Sequence, residues 1–298
     1  MFNFIKSRKY YYAVSGVLVI VSILSLSVWG LNLGIDFTGG SLMEVAVPGE
    51  ESVTQSDVKT AVAEEGIEVI SVQPAGERNF IVRMPSLTEV EHQQALAAVK
   101  GRYGEDVTEL RFESIGPTIG QELKTKAITA IVLVLGAIII YIAIAFRKVS
   151  YPVASWKYGL SAIIALVHDV VIIVGVYSVL GHFYGFQVDT LFVTALLTIM
   201  GFSVHDSIVT FDRTRENLHV KQHLSFKEIV NVSIIETLVR SINTSMTTLV
   251  VLVAIFLFGG SSIQQFALTL VLGIFIGTYS SIFIASPLLV EWYRLRKR

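Results

Sequence analysis

Long apolar runs set the frame of this chain, and the few polar residues inside them set its chemistry. Ala13–Leu31 carries no charge for 19 residues, enough to cross a bilayer at about 1.5 Å per residue. Ala127–Phe146 is a second uncharged run, Tyr158–Leu180 a third broken only by His168 and Asp169, and Thr190–Phe211 a fourth apolar run that carries His205 and Asp206. Ser241–Val290 then runs 50 residues without a charge, too long for one span and sufficient for two, with Gly259-Gly260-Ser261-Ser262 as the turn. The pattern predicts six membrane helices. A cleaved leader is the rival reading of the first run. Its apolar core would measure about 7–15 residues and precede a small-residue cleavage site; neither feature is present, so a retained span is expected.

Residues 32–122 change character. Ser41–Val47, Glu68–Gln73, Asn79–Met84 and Asp106–Ser114 read as strands, and Thr54–Glu65 as a helix. Thr88-x-x-Glu91 is a capping box that opens a second helix to about Lys100. The order is β-α-β-β-α-β, the split βαβ or ferredoxin-like plan. The expected fold is therefore a membrane α-helical protein of six transmembrane helices with one α+β extracytoplasmic domain. Residues 1–31 form the N-terminus and first span, 32–122 the α+β domain, and 123–298 a five-helix membrane domain. Ser225-x-x-Glu228 is a second capping box, followed by Phe226, Ile229, Val230 and Ile234 at helical intervals; this helix is expected to lie along the membrane surface.

Composition agrees with a membrane protein: 53% of the 298 residues are hydrophobic and 16% charged, against about 25% charged in soluble domains. The charge distribution adds orientation. Residues 32–122 hold 16 of the 24 acidic residues and 6 of the 23 basic ones. Basic residues flank the spans instead, at Lys6, Arg8 and Lys9, at Arg147 and Lys148, at Arg213, Arg215, Lys221 and Lys227, and from Arg294 to Arg298. Basic flanks stay on the cytoplasmic side, so both termini are expected there and the acidic domain outside. The chain has no cysteine, which excludes disulfides and thiol chemistry. It has no H-E-x-x-H, G-x-S-x-G or G-x-x-x-x-G-K-[ST] pattern. No enzyme activity, cofactor, metal or nucleic-acid partner is expected.

The candidate chemistry lies at membrane depth. Asp206, within Gly201–Asn217, is a carboxylate on the fourth span, where an ionisable group costs about 2.5–3.5 kcal/mol and usually faces a partner or a water path. Arg240, at the start of the fifth span, lies at similar depth. Thr237, Thr244, Thr247 and Thr248 surround Arg240 at helical spacing, as Ser203 and Thr210 surround Asp206. Asp169 is a second intramembrane carboxylate and a candidate proton relay. Each has a plainer reading: a structural hydrogen bond for Asp206, an interface arginine for Arg240, helix-to-helix glue for Asp169. His168 and His205 are treated as secondary. Two glycine stretches flank the α+β domain: Gly34–Ser41, with Asp36, Gly39 and Gly40, and Gly116–Gly120. They read as joints serving movement of the domain rather than its folding, with Asp36 forming a local turn. Gly273-x-x-x-Gly277 with Ser281 offers a small-residue packing face in the last span.

These stretches together resemble the SecF branch of the SecD/SecF family of bacterial protein-export membrane proteins, within the wider resistance-nodulation-division superfamily. The resemblance rests on Gly34–Ser41, on Gly116-Pro117-Thr118-Ile119-Gly120 with Glu122 and Leu123, on His168-Asp169, on Gly201–Asn217 and on Arg240. It implies six spans with one large outer domain in the bacterial cytoplasmic membrane, and partnership with SecD beside the SecYEG channel. The implied function is to help preproteins leave that channel on the outer side at the expense of the proton-motive force. Asp206 and Arg240 map onto the residues linked to proton passage, and His205 stands where many relatives have Asn. Half of a proton-coupled exporter of lipids or small molecules, and a static assembly scaffold, are the competing readings.

Overall fold

The computed structural model describes residues 3–48, 53–76, 78–147 and 152–297. Lys148 and Arg298, used above as basic flanks, lie outside the described residues. The chain divides into two compact units. One comprises Met1–Leu31, Thr129–Phe186 and Leu191–Arg298; the other comprises Asn32–Ile128 and Gln187–Thr190.

The second unit opens with a single turn, α2 (Ile35–Thr38), after the first membrane helix α1 (Arg8–Trp29). It continues as β1 (Gly40–Ala46), α3 (Gln55–Glu64), β2 (Ser71–Pro74), β3 (Asn79–Met84), α4 (Glu89–Tyr103) and β4 (Thr108–Ile115). The four strands form one sheet in the order β2-β3-β1-β4, every neighbour antiparallel. Period-two alternation sends Met43, Val45, Val82 and Met84 to one face, where they pack with Val58, Val62, Ala95 and Val99 from α3 and α4. Arg83 is on the opposite face, 6% exposed, with Nη1 3.5 Å from Ser71 Oγ; burial pushes its guanidinium down to about 10, still charged at neutral pH.

Both helices start on the signals their sequences carry. Glu91 Oε2 accepts from the Thr88 N–H at 2.7 Å while Thr88 Oγ1 accepts from the Glu91 N–H. Thr54 and Asp57 form the same reciprocal pair at α3. The expected strand 68–73 joins the sheet only from Ile70, whose N–H donates to the Arg83 carbonyl at 2.8 Å; Ile67 and Val69 pack into the core after the positive-φ turn at Gly66.

The first unit holds the membrane helices. Among the described residues, six helices are long and apolar enough to span a bilayer. They are α1, α5 (Pro117–Ala145), α6 (Ser155–Tyr184), α7 (Thr190–Val220), α8 (Phe226–Phe258) and a last span. That span joins α9 (Ser261–Ser280), a π-helical segment (Ser281–Ala285) and α10 (Ser286–Lys297). Close approach depends on small residues. A Cβ on Gly175 of α6 would lie 2.2 Å from Ser22 Cβ of α1, and one on Gly273 of α9 would lie 2.2 Å from Ile199 Cδ1 of α7.

One expectation is corrected. The segment from Phe226 is not a separate surface helix but the first turns of the 33-residue α8. Its capping box forms as expected, with the Ser225 N–H donating to Glu228 at 2.8 Å. The helix then continues because Phe226, Val230 and Ile234 are buried among the other spans and Ser233 finds Asn217 of α7 at 2.9 Å. The apolar residues at helical spacing face protein, not headgroups.

Candidate functional site

Asp169 is fully buried on α6. Its Oδ2 accepts from Ser203 Oγ of α7 at 2.5 Å and from Ser280 Oγ of the last span at 2.7 Å. Its Oδ1 lies 2.8 Å from Nδ1 of the adjacent His168, itself buried. Three spans therefore meet on one carboxylate. The small-residue face makes this possible: a Cβ on Gly277 would lie 3.1 Å from Ser203 Cβ, so Ser280 comes to lie within reach of Asp169 less than one turn further on. Sequence spacing had assigned Ser203 to Asp206; the structure gives it to Asp169. Ser280 carried no signal of its own beyond its place near Gly277.

Asp206 follows Ser203 by three residues and is 4% exposed. The Ser241 hydroxyl of α8 bonds to it. Among the described residues, Asp206 and Arg240 do not form an ion pair. Arg240 instead borders a cavity of about 490 Å³ with Asp212, Arg213, Glu216, Glu236 and Thr237, roomy enough for several waters at about 30 Å³ each.

Buried polar side chains continue along α7 from Asp206 through Ser207, Thr210, Thr214 and Asn217. Thr210 and Thr237 of α8 face each other at 3.2 Å. Asn217 Nδ2 donates to Ser233 Oγ at 2.9 Å and to Glu236 Oε2 at 2.8 Å. Glu236 also receives Arg213 Nε at 2.6 Å and pairs with Lys221. From Ser203 to Asn217 this seam covers about 21 Å at the helical rise. The Glu236 cluster is the part that sequence reading missed. Its signal lay in Arg213-x-x-Glu216 and Glu236, of which the sequence reading used only the base Arg213, with Lys221, as a cytoplasmic flank.

The two glycine stretches meet. Gly39 has φ +74° and Gly40 φ +129°; a Cβ on Gly39 would lie 2.8 Å from Pro117 Cα, and one on Gly40 2.9 Å from the Met84 carbonyl. A Cβ on Gly120 would lie 2.8 Å from the Gly39 amide nitrogen, whereas Gly116 has open space around it. The joints form one packed knot, so Gly39, Gly40 and Gly120 have a packing role beside any role in movement. Asp36 reaches far outside its own turn. Its Oδ2 accepts from the Thr190 N–H at 2.8 Å and from the Thr190 hydroxyl, and so caps the N-terminus of α7. The same turn holds Gly34 N–H on the Val188 carbonyl and Val188 N–H on the Asn32 carbonyl.

Six spans around buried carboxylates, with an α/β unit between the first and second, define an integral membrane protein of polytopic type. Two family patterns match it. "Protein export membrane protein SecD/SecF, C-terminal" covers residues 95–295, and "SecD/SecF GG Motif" covers residues 25–47. The protein translocase subunit SecF of Thermobaculum terrenum is 44% identical over 98% of this chain and 94% of its own length. That of Anaerolinea thermophila is 41% identical with the same coverage. The protein translocase subunit SecDF of Thermus thermophilus is 36% identical over 99% of this chain, which spans 39% of that longer protein. The crystal structure of the Thermus SecDF, described as a translocon-associated membrane protein, superposes over the whole chain with a TM-score of 0.85, again on 39% of its own chain; a super-membrane-facing form of SecDF gives 0.70 at 35% identity. The chain belongs to the SecD/SecF family of protein-export membrane proteins.

Proposed function

We propose that this chain is the SecF-type subunit of the Sec translocase. With SecD, it uses the proton-motive force to help preproteins leave SecYEG on the outer side of the bacterial cytoplasmic membrane. It is a coupling subunit rather than an enzyme. The observation that carries the reading is the buried polar seam, with Asp169 and Asp206 on adjoining helices and the Arg240 cavity at its end. SecD enters because the Thermus relative bears both names in one chain. The charge split supports cytoplasmic termini and an extracytoplasmic α/β unit, and the strand order β2-β3-β1-β4 supports the ferredoxin-like plan for that unit.

In this reading Asp206 gains and loses a proton through the cavity, and pairs with Arg240 only in the ionised state. Protonation releases α7 against α8. Asp36 holds Thr190, which belongs to the α/β unit and is also the first residue of α7. A potential of 100 mV gives about 2.3 kcal/mol per charge, and one pH unit about 1.4 kcal/mol. Moving a two-state element from 1:99 to 99:1 needs about 5.5 kcal/mol, so one proton biases the change and two commit it. Asp169 is the second site.

Export into inverted vesicles, with and without a proton gradient, tests this. Asp206→Asn and Arg240→Met should keep assembly with SecD and lose the gradient-stimulated part of export. Full gradient dependence in Asp206→Asn would make Asp206 structural.

A further inference from the structure

A groove on the membrane unit runs between α8 and the last span, with Phe4 at one end. Its volume is about 410 Å³, and its wall includes Leu238, Ile242, Met246, Leu249, Phe275 and Phe283. Three hydroxyl residues border it, and each is already engaged. Ser245 Oγ and Thr278 Oγ1 lie 2.6 Å apart, and Thr278 donates to the Ile274 carbonyl at 2.8 Å. Tyr279 OH donates to the Tyr11 carbonyl at 3.3 Å and lies 3.2 Å from Ser15 Oγ. A polar ligand would lose its hydration here without recovering hydrogen bonds. The groove suits hydrocarbon.

Its length and depth fix which hydrocarbon. Leu238 to Leu249 spans about 16 Å along α8 at the helical rise, about half of a 30 Å hydrocarbon core. Six spans put both termini on one side, and α8 enters from that side, so the groove occupies that leaflet alone. The π-helical turn shapes its floor. Ser286 Oγ donates to the Ser281 carbonyl at 2.9 Å across the widened turn. Phe283 projects from that turn and meets Tyr11 edge-on at 4.5 Å, Tyr279 at 5.0 Å and Phe4 at 5.8 Å. This aromatic cluster seats the N-terminal segment. Ile5 is fully buried, Arg8 pairs with Glu291, and Arg8 Nη1 donates to the Ile5 carbonyl at 2.9 Å. Lys6 and Lys9 are exposed on this segment, two and five residues from Phe4 in sequence, and supply positive charge on the side of the termini.

We infer that this groove binds one acyl chain of an anionic phospholipid from the leaflet on the side of the termini, with the phosphate at Lys6 and Lys9. The test reconstitutes the full chain in phosphatidylethanolamine vesicles containing phosphatidylglycerol with a diazirine on its acyl chain, and maps the photoadducts by peptide mass spectrometry. Adducts should concentrate at Met246, Phe275 and Phe283, several-fold above those at the lipid-facing Val17 and Val132. Ile242→Trp, at a residue 43% exposed, should fill the groove and remove the Phe283 adduct while leaving the Val132 adduct and the melting temperature unchanged. Lys6→Gln and Lys9→Gln should each reduce the preference for phosphatidylglycerol about fivefold, equivalent to about 1 kcal/mol per lysine near an anionic surface.

Even labelling over all spans would overturn the inference, as would a Phe283 adduct that survives Ile242→Trp. Equal labelling by diazirine-bearing phosphatidylethanolamine would remove the anionic headgroup. Loss of groove adducts when SecD is reconstituted alongside would assign the groove to a partner helix and overturn it as well.

Discussion

The two units of this protein bury opposite kinds of residue. In the α/β unit α3 buries Val58, Ala61 and Val62, and its capping residues stay at the surface. In the membrane unit α1 buries Ser15, Ser22 and Ser25 while Val14, Val17, Leu18 and Val21 face outward. Water drives the first arrangement, since burying apolar area is favourable by about 25 cal/mol per Å². Lipid removes that drive. Small residues and hydrogen bonds then decide which helix faces meet. A buried polar side chain in the α/β unit is an exception with its own partner, such as His92 with Glu109 at 2.6 Å. In the membrane unit it is the means of assembly, which is why one carboxylate can join three spans.

Substitutions that exchange the two regimes separate them most clearly. The largest effect is expected at Asp169→Ala, which removes the carboxylate partner of Ser203 and of His168 Nδ1 and leaves Ser280 with only the Gly277 carbonyl at 3.2 Å, at about 1–3 kcal/mol for each buried group left unpaired; melting of the purified protein in detergent checks it. Met43→Ala, at a fully buried sheet position, should cost about 2–5 kcal/mol by leaving a cavity, seen as earlier proteolysis within residues 32–128 while the membrane helices remain protected.

Val132→Lys and Val90→Lys sharpen the comparison, because both valines are exposed, 61% and 68%. The first, on α5, should cost about 2.5–3.5 kcal/mol of insertion and lower membrane abundance; the second, on α4, should stay within about 0.5 kcal/mol. Equal abundance of the two variants would mean that this part of α5 does not face lipid.

The smallest effect is at the cap. Thr88→Ala should cost about 1 kcal/mol, confined to the α/β unit. Hydrogen bonds from the Thr88 backbone and hydroxyl hold Glu91 below the usual carboxylate range. A lowered folded pKa stabilises above the unfolded value, about 4.3 for Glu, and that contribution is lost as pH falls through the folded value. In Thr88→Ala the larger cause, the backbone N–H of residue 88, survives, so the difference from wild type should shrink only in part below about pH 4. Hydrogen exchange of the α4 amides as a function of pH measures it.

Local patterns determined what each segment is. Apolar length marked all six spans, including the two that carry Asp169 and Asp206, the Thr88 and Ser225 boxes marked two helix starts, and Asn79–Met84 read as a strand that the structure reproduces residue for residue. The sequence also placed Asp169, Asp206 and Arg240 at membrane depth. It left their partners open, because spacing along one helix says which residues share a face and nothing about which other helix arrives there. Ser203 joins Asp169 rather than Asp206 because Gly277 lets the last span come close at that level. Asp36 bonds to Thr190, 154 positions away, because the turn at 187–190 pairs with residues 32–34. The helix at Phe226 runs on into the membrane because its apolar face finds Phe211 and Tyr293 rather than headgroups. Length, charge and caps act within a few residues and are written in the chain; the carboxylate's partners depend on close approach between helices far apart in sequence, which exists only once the bundle has packed.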